Sequence, residues 1–125
     1  MTREDYLDEM VSRIEDVWFD DNYIYKEEYE GADPDVIYQG LYDDFLTSDD
    51  VTGSASGSYT FNRWRAKENV NGAEDVLKEA CRDFGCMDLL GEKFIDEEWE
   101  WMDVTIRCYL LGEAIDIFMR KNNLY

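Results

Sequence analysis

The chain has 125 residues, 45% of them hydrophobic and 15% aromatic, with 31 acids against 12 bases and a net charge of −19. Its apolar content excludes a disordered acidic tail and suits one domain with a modest core. The charge disfavours direct binding to nucleic acid or to an anionic membrane surface, since both are polyanions. In chain order, the first expected element is a helix from Arg3 to about Trp18. Leu7, Met10, Val11, Ile14, Val17 and Trp18 recur at helical spacing, and Asp5, Asp8, Glu9, Glu15 and Asp16 occupy the other face. Thr2 is placed to cap it, with acids in the first turn where the helix dipole favours them. Between Asp20 and Glu30 the tyrosines at 23, 25 and 29 suit a short helix or a brief strand equally. Asp33-Pro34 reads as an N-cap followed by proline at the first helical position, opening a helix with Ile37, Tyr38, Leu41, Tyr42, Phe45 and Leu46 on its apolar stripe.

The Gly/Ser-rich stretch from Val51 to Ser58 reads as a loop. Beyond it Thr60 can cap a short helix holding Phe61 and Trp64, with a strand or hairpin near 56–62 as the alternative. Asn71 with Glu74 three residues on resembles a capping box, predicting a helix with Ala73, Val76, Leu77, Ala80, Cys81 and Phe84 on one face and a stop at Gly85. The last element, from about Asp96 to Lys121, is apolar on most of its circumference. Trp101, Val104, Cys108, Leu111, Ile115 and Phe118 make one stripe, and Trp99, Met102, Ile106, Tyr109 or Leu110, Ala114 and Ile117 another. Such a helix is a buried one. The expectation is an all-α, single-domain bundle over 1–125, with four to six helices around a buried C-terminal helix.

The charge is segregated. Residues 1–50 hold 17 acids and 3 bases, net −14, whereas residues 51–70 hold 1 acid and 3 bases, net +2. A small domain needs a net charge of only about 2 to 8 for solubility. The excess opposes compaction by self-repulsion, so a function for it is worth seeking. Many acids are adjacent pairs, and successive pairs on a helix set carboxylates roughly 5 to 6 Å apart. Phosphates along duplex DNA recur at about 3.4 Å of axis per strand. A Lys/Arg-lined nucleic-acid cleft would therefore meet charges of the right sign at a usable spacing. Asp20, Asp21, Glu27, Glu28, Asp43, Asp44, Asp49 and Asp50 are the candidate contact residues. Solvation alone, or salt adaptation, is the plainer account of such faces. The cluster Arg63-Trp64-Arg65-Ala66-Lys67 could stack single-stranded nucleic acid, but salt bridging to the acidic half is the better reading.

Chemistry is sparsely provided. With no histidine the commonest general base and metal ligand are missing, and Ser-His-Asp and Cys-His arrangements are excluded. Cys81 and Cys86 with a distant Cys108 match no zinc pattern. Gly53 to Gly57 lacks the Gly-Lys-Ser/Thr of a phosphate-binding loop, and Asp49-Asp50 does not start an EF-hand. Among 31 acids some carboxylate pair always looks usable, so such pairs carry no specificity. The expectation is a non-enzyme without cofactor or metal. Three cysteines, an odd number, with no N-terminal apolar stretch and no run near the ~18 residues of a membrane span, point to small buried thiols, reduced in a cytoplasm.

Two strings carry a resemblance. One runs from Val51-Thr52-Gly53 through Gly57-Ser58-Tyr59-Thr60-Phe61-Asn62 to Trp64; the other is Asp103-Val104-Thr105-Ile106-Arg107-Cys108-Tyr109-Leu110-Leu111-Gly112. From Val51 onward the chain resembles an uncharacterised family of small proteins encoded on bacterial mobile elements and phages. The acidic N-terminal half goes beyond that likeness, and no activity or site residue is carried over. The resemblance implies a mobile-element setting, in which small acidic proteins inhibit host-defence nucleases by mimicking DNA. The combined expectation is an anti-CRISPR-like inhibitor whose partner is a Cas nuclease or restriction enzyme. A structural or adaptor protein with incidental acidity, and a small carboxylate-dependent enzyme, are the alternatives.

Overall fold

Thr2 starts the first helix as its composition foretells. Its hydroxyl accepts from the Asp5 backbone N–H at 3.1 Å, and the Asp5 carboxylate accepts from the Thr2 N–H, closing a capping box. The computed structural model describes residues 2–20, 26–46, 70–87 and 99–125, with the backbone only at 26, 99–101 and 104. Five helices lie within them: α1 (Arg3–Trp18), α2 (Lys26–Tyr29), α3 (Pro34–Leu46), α4 (Ala73–Phe84) and α5 (Trp99–Lys121). No strand occurs among the described residues. The all-α expectation holds; within 20–30, Lys26–Tyr29 is helical, and Tyr23 and Tyr25 lie outside the described residues. The loop at 51–58, the elements near 56–64, the basic cluster at 63–67 and the stretch before Trp99 lie outside the described residues.

α5 is the centre. At a rise of 1.5 Å per residue its 23 residues span about 35 Å. α1, α3 and α4 each pack against it. Both of its apolar stripes are used: Met102, Ile106, Leu110, Leu111, Ala114, Ile115, Phe118 and Met119 are all buried. Ile117 is exposed near the helix end and Cys108, expected buried, is only half-buried; the Trp99, Trp101 and Val104 side chains lie outside the described residues. α1 contributes Leu7, Met10, Val11, Ile14 and Trp18, and also Tyr6, whose ring is fully buried although it lies outside the expected stripe. α3 contributes Ile37, Leu41 and Phe45; Tyr38 and Tyr42 flank that row half-buried, and Leu46 reaches solvent. α4 contributes Ala73, Val76, Leu77, Ala80 and Cys81, but Phe84 is 51% exposed and not core.

Aromatic rings tie the ends together. Trp18 stacks on Tyr29 at 6.5 Å between centroids and meets Phe118 edge-on at 5.6 Å. Tyr29 lies flat over Gly40, where a Cβ would stand 2.5 Å from the ring. Its hydroxyl donates to Asp44 at 2.9 Å, which anchors α2 on α3.

The capping box expected at Asn71 and Glu74 does not form. The N-cap of α4 is Gly72, in the left-handed region at φ 72°, and no side chain caps the helix. Asn71 sits one residue too early, because the chain turns into the helix through a conformation that glycine adopts without a Cβ clash. Gly85 ends α4 as expected: at φ 74° it lets the Cys86 N–H reach back to the Cys81 carbonyl at 2.8 Å.

Candidate functional site

Two features compete as the functional site: the outward acidic faces and a cleft beside α5. The outward faces follow from helical periodicity. With its apolar row turned to α5, α1 presents Asp5, Asp8, Ser12, Asp16 and then Asp20 to solvent. An i, i+4 step advances about 6 Å along the axis. α3 likewise presents Asp35, Gln39 and Asp43, with Gln39 donating to Asp43 at 3.0 Å. Glu27 and Glu28 are exposed on α2.

The candidate contact residues therefore divide. Asp20, Glu27, Glu28 and Asp43 are exposed. The Trp18–Tyr29 stack and the Tyr29–Asp44 hydrogen bond bring the segments carrying them to one end of the bundle. Asp44 is half-buried and serves Tyr29, because neighbours in sequence point some 100° apart on a helix. The pair Asp43–Asp44 is thus one surface charge and one internal ligand. Asp21, Asp49 and Asp50 lie outside the described residues.

Among the described residues, few cations lie against these faces. Arg3, Arg13, Lys78, Arg107, Arg120 and Lys121 each hold a carboxylate within 4 Å. No ion pair among the described residues reaches Asp8, Asp16, Glu27, Glu28 or Asp35, and residues 27–62 contain no Lys or Arg. Arg107 and Asp103 form a 3.2 Å pair inside the core, next to the buried Tyr6.

The cleft, of about 650 Å³, lies where α3, α4 and α5 meet the start of α1. Periodicity does not reveal it, since its members come from four separate helices. Arg3 holds it together. It donates to Glu79 at 2.8 and 3.2 Å and to Glu113 at 3.2 and 2.7 Å, and lies 5.9 Å from the centre of the Tyr109 ring. The Tyr109 hydroxyl faces Glu79 at 2.8 Å and Asp83 at 2.5 Å. Tyr38 and Tyr42 stack on one wall at 6.3 Å, and Phe84 meets Tyr109 edge-on at 5.6 Å. Gly112 makes the floor: a Cβ there would come within 2.6 Å of the Tyr38 hydroxyl. That glycine inside an apolar helical run was the one sequence signal of a close approach here.

Protonation in the cleft is pushed away from neutrality. Hydrogen bonding to Arg3, then to Tyr109, pulls the Glu79 carboxyl down to about 2. Burial first, then the neighbouring carboxylates, raises the Tyr109 phenol well above its ordinary value. Burial raises the Tyr38 and Tyr42 phenols and the Cys108 thiol as well. No group of three or more metal-ligating side chains occurs among the described residues. No helix among them is long and apolar enough to cross a membrane.

Scans against protein-family models, curated proteins and solved structures return no match to this chain.

Proposed function

We propose that this chain is an inhibitor that occupies the basic nucleic-acid cleft of a host-defence nuclease, a CRISPR effector or a restriction enzyme, by presenting a DNA-like acidic surface. One observation carries the reading: outward carboxylates stand on helices whose inner faces are packed, and no ion pair among the described residues reaches Asp8, Asp16, Glu27, Glu28 or Asp35. A packed helix holds charges at fixed spacing before the partner arrives, so little ordering entropy opposes binding. Steps of about 6 Å along α1 suit a cleft that reads phosphates. The field of such a surface speeds encounter and fades with salt. The nuclease target comes from the mobile-element resemblance, and the acidic surface from the residues themselves.

Capture of bound proteins from bacterial lysate at low and high salt, followed by elution with duplex DNA, tests the proposal. The expected result is a nucleic-acid-binding protein retained at low salt, released as salt rises and displaced by DNA. Retention of nothing, or of non-basic partners indifferent to salt, would mean that the acidity is incidental and the chain a structural or adaptor protein.

A further inference from the structure

We infer that the cleft beside α5 is a receptor for a guanidinium group, an arginine side chain of the basic partner; this rests on the reading above that the partner is basic. The cleft's size, near 650 Å³, falls among ligand sites and exceeds what one side chain needs. Its walls are aromatic and its charge is negative. Three carboxylates, Glu79, Glu113 and Asp116, line it against one lining cation, Arg3. Organic cations that combine a flat face with hydrogen-bond donors fit such a site, and guanidinium does so better than ammonium because it is planar and weakly hydrated.

Arg3 already demonstrates the chemistry. It forks onto two carboxylates and lies within cation–π reach of Tyr109, using one side of the cleft. On the other side stand the stacked Tyr38 and Tyr42 rings and Asp116. Asp116 now accepts from the Tyr125 hydroxyl and pairs with Arg120 at 3.1 Å, a side chain 73% exposed. Exposed ion pairs hold weakly, so an incoming guanidinium can compete with Arg120 for Asp116. Gly112, lacking a Cβ, lets the Tyr38 hydroxyl settle against α5 and so sets the position of that wall.

The test uses the full chain labelled with ¹⁵N and titrated with N-acetyl-arginine amide, its lysine analogue and its neutral citrulline analogue. The expected result is saturable shifts at the Gly112 and Glu113 amides, tightest for arginine and absent for citrulline. Gly112→Ala, which pushes the Tyr38 hydroxyl into the cleft while favouring helix, should weaken arginine binding about tenfold. Glu113→Gln serves as the second variant and should weaken it comparably. Diffuse shifts over the exposed acids, equal for arginine and lysine and erased by salt, would overturn the inference. So would a Gly112→Ala chain that binds its captured target as wild type does. Either failure leaves the acidic-surface reading standing, because that reading is tested on α1 and α2 carboxylates outside the cleft.

Discussion

The carboxylates that join helices to α5 are clamped, whereas among the described residues no ion pair reaches several on the outer sides of α1, α2 and α3. Asp103 is buried against Arg107, Glu79 and Glu113 hold Arg3, and Glu15 takes Lys121 at 2.7 Å. Asp8, Asp16, Glu27, Glu28 and Asp35 stand exposed, and no ion pair among the described residues reaches them. The first group is what the fold uses to join its helices. Among the described residues the second group makes no such cross-link, and its like charges repel.

The comparison makes an ordered set of stability predictions. Removing Asp103 comes first: Asp103→Ala leaves Arg107 charged in the core, and breaking a buried pair from one side costs about 3–5 kcal/mol. Urea unfolding reads this directly. Next is Arg3→Ala, which loses partly buried, charge-assisted bonds to Glu79 and Glu113 and should cost about 1.5–3 kcal/mol. Its loss has a pH signature. The Glu79 carboxyl binds its proton near the ordinary 4.5 when unfolded and only near 2 when folded. The clamp's contribution is therefore full above about 4.5 and drains away as pH falls toward 2. In the wild type the acid limb of the stability curve should carry that loss, and in Arg3→Ala it should be shallower. A limb of equal steepness in both would break the distinction between clamped and outward carboxylates.

Smallest in stability are the outer substitutions. Asp8→Asn with Asp16→Asn should move the unfolding free energy by no more than about 0.5 kcal/mol, in the stabilising direction, because repulsion falls. Added NaCl should raise the wild-type Tm for the same reason, and raise it less in this double variant. Thiol reactivity sharpens the picture from inside the bundle. Cys81 is fully buried, and burial, then its hydrogen bond with Cys86, raises its thiol to about 11. Under a mild disulfide reagent Cys86, half-exposed beyond α4, should react first and Cys81 last.

How much of this was legible in the sequence depends on whether a feature is local. Helix α1 begins and ends where its apolar period and the Thr2 cap say, and Gly85 stops α4, because these signals act within a turn or two. The double stripe of α5 was enough to identify the buried helix. Gly72 displaced the cap expected at Asn71, since side-chain type alone does not say which residue takes the left-handed turn. Tyr6 escaped because its polar tip disguised a fully buried ring. The Arg3 clamp escaped for a different reason. It joins residues 76 and 110 positions apart, and no periodicity carries information over that distance. Among the outward acids, period separates Asp43 from Asp44, while composition treats them as a pair.

Binding should reverse the order found for stability. The most direct measurement is the affinity for the captured target, across a salt series, of wild type and of a chain carrying Asp8→Asn, Asp16→Asn, Glu27→Gln and Glu28→Gln. The account predicts that the neutralised chain stays folded, loses at least about tenfold in affinity at low salt, and shows a flatter salt dependence. An affinity and salt dependence equal to those of the wild type would contradict it.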